Sequence, residues 1–307
     1  MVKAIHHKRV AVLMATHNGI NWIEEQINSI LNQINVDVTI FISDDNSVDG
    51  TFDYLCKLTK KNRRIVLLSR VKSFGSAAKN FYHLMCQVNF DRFSYISLSD
   101  QDDIWNKDKL FNHMTILQKH NAEAVSSNVI AFWLNEKEVL IKKSQPQRKY
   151  DFLFEGPGPG CTFLITPWLA NKVKYQLKNN KIASHIELHD WLIYAICRAY
   201  KKLWVIDPSP SLKYRQHSLN VLGANFGAKA ALARFRDIIN GWYRKQVKVI
   251  SEVIVNISFD NDLYNFNTAI KGNSIFDRLR LLVFAIEGRR KLSERFLLIL
   301  TILFFIF

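Results

Sequence analysis

The chain is poor in acid: 27 Asp+Glu stand against 42 Lys+Arg in 307 residues, a net charge of +15. It is also poor in cysteine. The four present, Cys56, Cys86, Cys161 and Cys197, lie far apart with no C-x-x-C and no metal-finger spacing, so they read as small buried apolar residues in a reducing compartment. No apolar signal region precedes the first strand, because Met1-Val2-Lys3-Ala4-Ile5-His6-His7-Lys8-Arg9 runs straight into it, and the expected location is cytoplasmic. No G-x-G-x-x-G follows that strand, where Thr16-His17-Asn18-Gly19 stands instead, which disfavours a dinucleotide-binding dehydrogenase. Nor does a nucleic-acid motif accompany the positive charge. The basic residues sit beside aliphatic runs rather than exposed aromatics, so anionic lipid is the expected partner and nucleic acid is not.

What the chain does have is 48% apolar residues, enough for a full core, expected as one α/β domain of about 200 to 250 residues plus a smaller appendage. Val10 to Ala15 is a continuous apolar run, as in a strand covered on both faces, and Ile23, Ile27, Ile30, Leu31 and Ile34 follow at helical spacing. Strands near 38–43, 64–69 and 93–99 alternate with helices near 50–61 and 76–88, which predicts a mostly parallel sheet. Asp49-Gly50-Thr51 and Ser73-Phe74-Gly75-Ser76 supply turn and cap chemistry at the helix starts.

Two acidic clusters follow apolar strands: Asp44-Asp45-Asn46-Ser47-Val48-Asp49 and Asp100-Gln101-Asp102-Asp103. Carboxylates crowded at strand ends repel one another unless a positive charge sits among them, and this spacing suits a hard divalent cation that keeps part of its shell for phosphate oxygens. In such sheets ligands bind beyond the carboxyl ends of the strands, where Thr16, Asn18, Asp44, Asp45, Asp100 and Asp102 are expected to converge. A turn or helix cap is the competing reading of Asp45 and Asp49.

Ala15-Thr16-His17-Asn18-Gly19, Asp44 through Thr51, Gly75-Ser76-Ala77-Ala78-Lys79-Asn80 and Ser99-Asp100-Gln101-Asp102-Asp103-Ile104-Trp105 together resemble the ordered motifs of family 2 glycosyltransferases of the GT-A fold. The bacterial rhamnosyltransferase-like branch is the nearest in pattern, over roughly residues 8 to 225. The resemblance implies a Rossmann-like, mostly parallel sheet flanked by helices, with residues 1–225 as the nucleotide-sugar-binding and catalytic unit. It implies an inverting, metal-dependent sugar transfer from a nucleotide diphosphate donor, dTDP-rhamnose or a UDP-hexose, to a hydroxyl of a glycan or lipid-linked glycan in surface polysaccharide synthesis. Donor contacts are assigned by it to Thr16, Asn18, Asp44, Asp45, Asn80, Asp100 and Arg215, and Mg²⁺ or Mn²⁺ ligation to Asp100, Asp102 and His217. Asp190, opening the helix His189-Asp190-Trp191-Leu192, is the implied general base, with a helix-dipole role for that carboxylate as the alternative. Gly160, His189 and Trp191 fall on the acceptor side; an ordinary turn explains the glycines around Gly160 equally well. The Q-x-x-R-W pattern of processive synthases is absent, which points to one sugar per encounter. A catalytically silent binding protein and a nucleotidyltransferase are the other readings. The latter usually carries a Gly-rich, Lys/Arg-containing phosphate loop after its first strand, and none stands here.

Residues 226–307 change character. Between Lys229 and Lys248, Lys229, Arg234, Arg236, Arg244, Lys245 and Lys248 stand against Asp237 alone and interleave with apolar residues, the pattern of a basic amphipathic helix. A second basic stretch, Arg278 to Lys291, precedes the apolar run Phe296–Phe307, whose twelve residues reach about 18 Å as a helix. That is too short to cross a bilayer core of about 30 Å. The run is expected to meet an anionic membrane surface at its inner face, with core packing and a homo-oligomer seam as the alternatives.

Overall fold

The computed structural model describes residues 8–70, 73–217, 236–258, 260–304 and 306–307. The first strand, β1 (Lys8–Thr16), has its last seven residues buried, as its unbroken apolar run requires of a strand covered on both faces. After it come α1 (Ile23–Leu31), β2 (Val36–Asp44), α2 (Thr51–Lys61), β3 (Ile65–Leu67), α3 (Ala77–Gln87) and β4 (Tyr95–Ser99), the expected alternation. Ser76 caps α3 by accepting from the Lys79 N–H; Asp49 accepts from Thr51 N at 3.0 Å across Gly50, the N-cap of α2, which is the turn role weighed for it rather than a helix cap.

Elements that the sequence reading did not place then complete the architecture: β5 (Ile104–Trp105), α4 (Lys109–His120), β6 (Ala124–Ser127), β7 (Val129–Phe132), β8 (Glu138–Ile141) and α5 (Pro167–Asn179). Between and after them lie β9 (Leu164–Ile165), α6 (His189–Ala199), β10 (Trp204–Asp207) and β11 (Leu212–Arg215). The seven-stranded sheet runs β10-β6-β9-β4-β1-β2-β3, parallel except where β9 pairs antiparallel with β4 and β6. A four-stranded sheet, β5-β11-β7-β8, stands beside it. Register brings the acidic clusters to one edge: Thr16 lies opposite Asp44 and Met14 opposite Ser99, so the chain leaves β1, β2 and β4 at neighbouring points. The mostly parallel α/β sheet flanked by helices is as expected.

Four helices follow: α7 (Trp242–Ile254), α8 (Asn261–Lys271), α9 (Ile275–Ile286) and α10 (Leu292–Leu303). They share one core with the helical side of the large sheet, through Phe154 against Phe266 and Phe307, and Tyr150 against Phe284. The basic amphipathic segment is only partly described: Lys229, Leu232, Arg234 and Phe235 lie outside the described residues, as do residues 1–7. Of what is described, Ile239 before α7 is exposed, while α7 turns Val247, Ile250 and Val253 into the protein, so that helix uses its apolar face on the protein's own core. Among the described residues no helix is long and apolar enough to cross a membrane.

The terminal run divides. Leu298, Thr301, Ile302 and Phe307 are buried, with Phe307 against Phe154 and Tyr243, while Phe296, Leu297, Leu303 and Phe304 are exposed. Removing residues 296–307 would therefore open the core. Ile302→Ala is expected to cost about 2 to 5 kcal/mol in urea unfolding. Phe276→Ser, at an exposed position, should stay within about 0.5 kcal/mol of the unaltered protein. An Ile302→Ala midpoint equal to that of the unaltered protein would show that α10 lies outside the cooperative core.

Candidate active site

The turn after β1 is built from polar contacts that cross to β2 and β4. Asn18 adopts φ 49°, and its N–H donates to Ser47 Oγ (2.8 Å) while its Oδ1 accepts from Val48 N (2.9 Å). The Gln101 amide pairs with the His17 backbone like a short ladder, accepting from its N–H and donating to its C=O, each at 2.8 Å. Thr16 and Asn80 are buried: Thr16 Oγ1 donates to Asp44 Oδ1 (3.1 Å) and Asn80 Nδ2 to the Ser43 carbonyl (2.9 Å).

Both carboxylates of the first cluster already have protein donors. Asp44 accepts from Thr16, from Ser47 N (3.0 Å) and from Arg70 Nη2 (3.0 Å). Asp45 accepts from Ser73 Oγ (2.8 Å), Phe74 N (2.6 Å) and Gly75 N (3.0 Å), which ties the loop before α3 to the end of β2. Thr16, Asn18, Asp44, Asp45 and Asn80 thus meet as expected, and they do so as a hydrogen-bonded rim.

The second cluster is electrostatically costly. Asp102 is 8% exposed and Asp103 fully buried, with Asp103 Oδ2 lacking any hydrogen-bond partner. Burial first, then Asp102 and Asp190, push the Asp100 carboxyl up to about 7, and burial with Asp102 and Asp100 raises Asp103 well above the ordinary range. The positive charge closest in kind is Lys109, 1% exposed at the start of α4, whose Nζ donates to the Cys161 carbonyl (2.6 Å) and lies 3.1 Å from the Trp105 ring centre. Its own burial holds the ammonium well below the usual lysine range, against the pull of Asp103 and Asp100. Ligand atoms of Asp100, Asp103 and Cys161 lie within 4.8 Å of one another. The Cys161 thiol is pushed up by burial and stays protonated, a poor ligand for a hard cation.

The other side of this cluster comes from β11 and the residues after it. His217 Nε2 is 2.7 Å from Asp102 Oδ2, and its ring stacks on Trp22 at 4.0 Å. Arg215 donates to the Asp102 carbonyl (2.8 Å), pairs with Glu25 and lies over Phe132. So α1 braces the segment that carries both residues.

Opposite stands α6. Asp190 Oδ1 accepts from Trp191 N (2.8 Å), and burial pushes its carboxyl up to about 6, moderated by that bond and by Lys143. Its charge is felt at Asp100, so the two carboxylates lie within electrostatic reach of each other. His189 is held neutral by burial, about 3, stacks on Phe81 at 4.1 Å and leaves Nε2 without a hydrogen bond. A Cβ on Gly160 would lie 2.5 Å from that nitrogen, so the glycine is needed for the close approach. The Trp191 ring is buried and donates to the Phe152 carbonyl (2.8 Å), which fixes α6 from below.

Asp103, Lys109 and Trp22 were not assigned from sequence. Lys109 had a readable sign: it falls in phase with Leu110, His113, Met114 and Leu117 on the buried face of α4, a charge inside an apolar stripe. The partners of Trp22 lie nearly two hundred residues away, and nothing local announces them.

The family model for glycosyl transferase family 2 matches residues 11–167. The dTDP-rhamnosyl transferase RfbG of Shigella flexneri is 39% identical over 96% of this chain and 100% of its own length. The UDP-Glc:alpha-D-GlcNAc-diphosphoundecaprenol beta-1,3-glucosyltransferase WfaP of Escherichia coli is 26% identical over 51% of this chain and 59% of its own. Among solved structures, S. aureus TarS 1–349 in complex with UDP-GlcNAc superposes with a TM-score of 0.57 at 13% identity, covering 91% of this chain and 81% of that one, a likeness of fold.

An unfolded Asp ionises near 3.8 and folded Asp190 near 6, so folding favours the protonated form. Stability present below pH 4 is lost as the pH rises from about 4 to about 6. Asp190→Asn cannot ionise and is expected to be more stable than the unaltered protein by about 1 to 2 kcal/mol at pH 8, the gap closing near pH 4. Urea melts at the two pH values measure it. Destabilisation at pH 8 would instead make the carboxylate a helix cap.

Proposed function

The chain belongs to glycosyl transferase family 2, and on that premise we propose that it moves rhamnose from dTDP-rhamnose to a hydroxyl of a lipid-linked surface glycan. It is a glycosyltransferase that takes a nucleotide-sugar donor. The choice of sugar is carried by one observation, the 39% identity to the Shigella flexneri dTDP-rhamnosyl transferase along that protein's whole length. The acceptor reading draws on the diphosphoundecaprenol-linked acceptor of the more distant glucosyltransferase WfaP.

Asp190 is the general base. Its charge is coupled to Asp100 of the acidic cluster, and with a pKa of about 6 it is ionised at neutral pH yet basic enough to accept the hydroxyl proton as the new bond forms. Attack from the side of Asp190, opposite the departing diphosphate, inverts the anomeric centre. Asp102, Asp100 and His217 are assigned to Mg²⁺ or Mn²⁺: Asp102 Oδ2 and His217 Nε2 stand 2.7 Å apart, whereas the ligand atoms of Asp100 lie near those of Asp103 and Cys161, so only the Asp102–His217 half of that set is in place. When bound, such an ion neutralises the diphosphate leaving group. Thr16, Asn18, Asp44, Asp45 and Asn80 form the nucleotide rim, and Arg215, held by Glu25, keeps the Asp102 backbone in place. Gly160, His189 and Trp191 set the floor on the acceptor side. The chemistry is assigned to residues 1–225, and the helices after it support the acceptor side.

Release of dTDP from dTDP-rhamnose against UDP from UDP-glucose, with a GlcNAc-diphospho-lipid acceptor, tests the donor; faster turnover of UDP-glucose would falsify the rhamnose assignment. Asp190→Asn should lower kcat at least about 10²-fold with donor affinity little changed. Asp44→Ala should weaken donor binding first. Asp102→Asn should abolish metal-dependent donor binding while the fold is kept. Full activity of that variant, or of the unaltered enzyme in excess EDTA, would remove the metal from the mechanism.

A further inference from the structure

Among the described residues, eleven of the twenty-two exposed large apolar side chains lie between Ile275 and Ile306. They are not scattered. On α9, Ile275, Phe276, Leu279, Val283 and Ile286 recur at helical spacing on the side opposite Leu281, Phe284 and Ala285, which are packed in the core. On α10, Leu292, Phe296, Leu297 and Leu303 do the same opposite Leu298, Thr301 and Ile302. Both helices are thus apolar on two sides, and only one side is covered; Phe276 is 71% and Phe296 61% exposed. A contiguous apolar face left uncovered beside the packed one marks a surface for a non-aqueous or protein partner.

The charge around this face identifies what covers it. The span from 275 to 304 holds Arg278, Arg280, Arg289, Arg290, Lys291 and Arg295 against Asp277, Glu287 and Glu294. All three acids are engaged within the fold: Asp277 caps α9 with Ser274, Glu287 pairs with Arg148, and Glu294 pairs with Arg289 and Lys291; Arg290 in turn is buried against Glu155 and Asp151, so the rim rests on the exposed cations rather than on all six. Arg280 and Lys291 stay exposed at the edge of the apolar arcs. An apolar face with a positive rim and helices of twelve residues, too short to span, matches an anionic lipid interface.

We propose that the outward faces of α9 and α10 together form a docking surface for an anionic bilayer, lying flat in its interface. The face is fixed to the acceptor side of the cleft. In the turn between the two helices Arg290 donates to the Gly156 carbonyl (2.7 Å) and pairs with Glu155, and a Cβ on Gly156 would lie 3.5 Å from Trp191 Cα, beside Asp190. The proposal takes from the functional reading only that the acceptor is lipid-linked, and its test does not use sugar transfer.

The full chain is floated with vesicles of phosphatidylcholine alone or mixed with phosphatidylglycerol, at low and high salt, and its mass without lipid is followed by sedimentation equilibrium. The unaltered chain is expected to float with the anionic vesicles. Phe276→Ser with Phe296→Ser, both at exposed positions, should lower the partition coefficient at least about 10-fold. Arg280→Gln should lower it about 5-fold on anionic vesicles at low salt and have little effect at high salt. No binding by the unaltered chain, or equal binding by the double Ser variant, overturns the proposal. So does a dimer that the double Ser variant converts to monomer while vesicle binding is unchanged, since the face would then be a seam between two copies.

Discussion

Repulsion among Asp100, Asp102 and Asp103 is the constraint on which the rest of the structure depends. Three carboxylates within four residues, one of them fully buried, cannot all be ionised in a medium that screens poorly. The fold meets this in two ways. It lets Asp100 and Asp103 hold protons more tightly than an exposed Asp would, and it inserts Lys109 beneath them, steadied by the Cys161 carbonyl and the Trp105 ring. A buried lysine is itself disfavoured, so acids and base each tolerate the low dielectric because the other is there. The site thereby favours the arrival of positive charge, which the proposed binding of a diphosphate through a divalent cation would supply.

Around that centre, each wall is held by a distant part of the chain. Trp22, at the N-cap of α1, and Glu25 within it hold His217 and Arg215. The loop before α3 is tied to Asp45 through two backbone N–H groups and Ser73. The acceptor-side loop is gripped from the C-terminal helices by Arg290, 6% exposed, through Gly156 and Glu155. That last link explains why the four terminal helices are not a loose appendage: Phe307, Phe266 and Tyr243 complete the core under the same loop.

Much of the sheet was legible because parallel strands leave a strong trace. β1 is a bare apolar run, β2 and β4 end in acid, and the helices between them keep 3.6-residue spacing. The short strands β5, β6, β7 and β11 were not legible, since two to four residues carry no period and are set by pairing with distant partners. In the site, the convergence of Asp44, Asp45, Asp100 and Asp102 could be read from strand ends. That the first pair is saturated by Ser47, Arg70, Ser73 and Gly75 could not, because hydrogen-bond partners depend on loop geometry. The C-terminal pattern was legible as amphipathic but not as to which side meets what. Composition shows that α10 is apolar; only packing shows that Ile302 faces Phe154's neighbourhood while Phe296 faces outward.

The inferred bilayer face and the base are joined by few contacts, from Arg290 to Gly156 to the backbone of Trp191. A short path is not by itself a switch. A switch needs an element with two arrangements of similar free energy, whereas the side chains on this path are packed, Arg290 6% and Trp191 2% exposed. Asp151, buried without solvent, is bonded by Arg198 and Tyr194 and faces Arg290, which pins the base of the acceptor loop from a third direction. Docking therefore acts on where the enzyme is rather than on what its cleft looks like. On the proposed reading it would confine the enzyme to the surface that holds a lipid-linked acceptor and raise that acceptor's effective concentration. In the proposed mechanism the chemical step would keep the barrier set by Asp190 and the acidic cluster, because binding energy spent equally on ground and transition states does not change turnover.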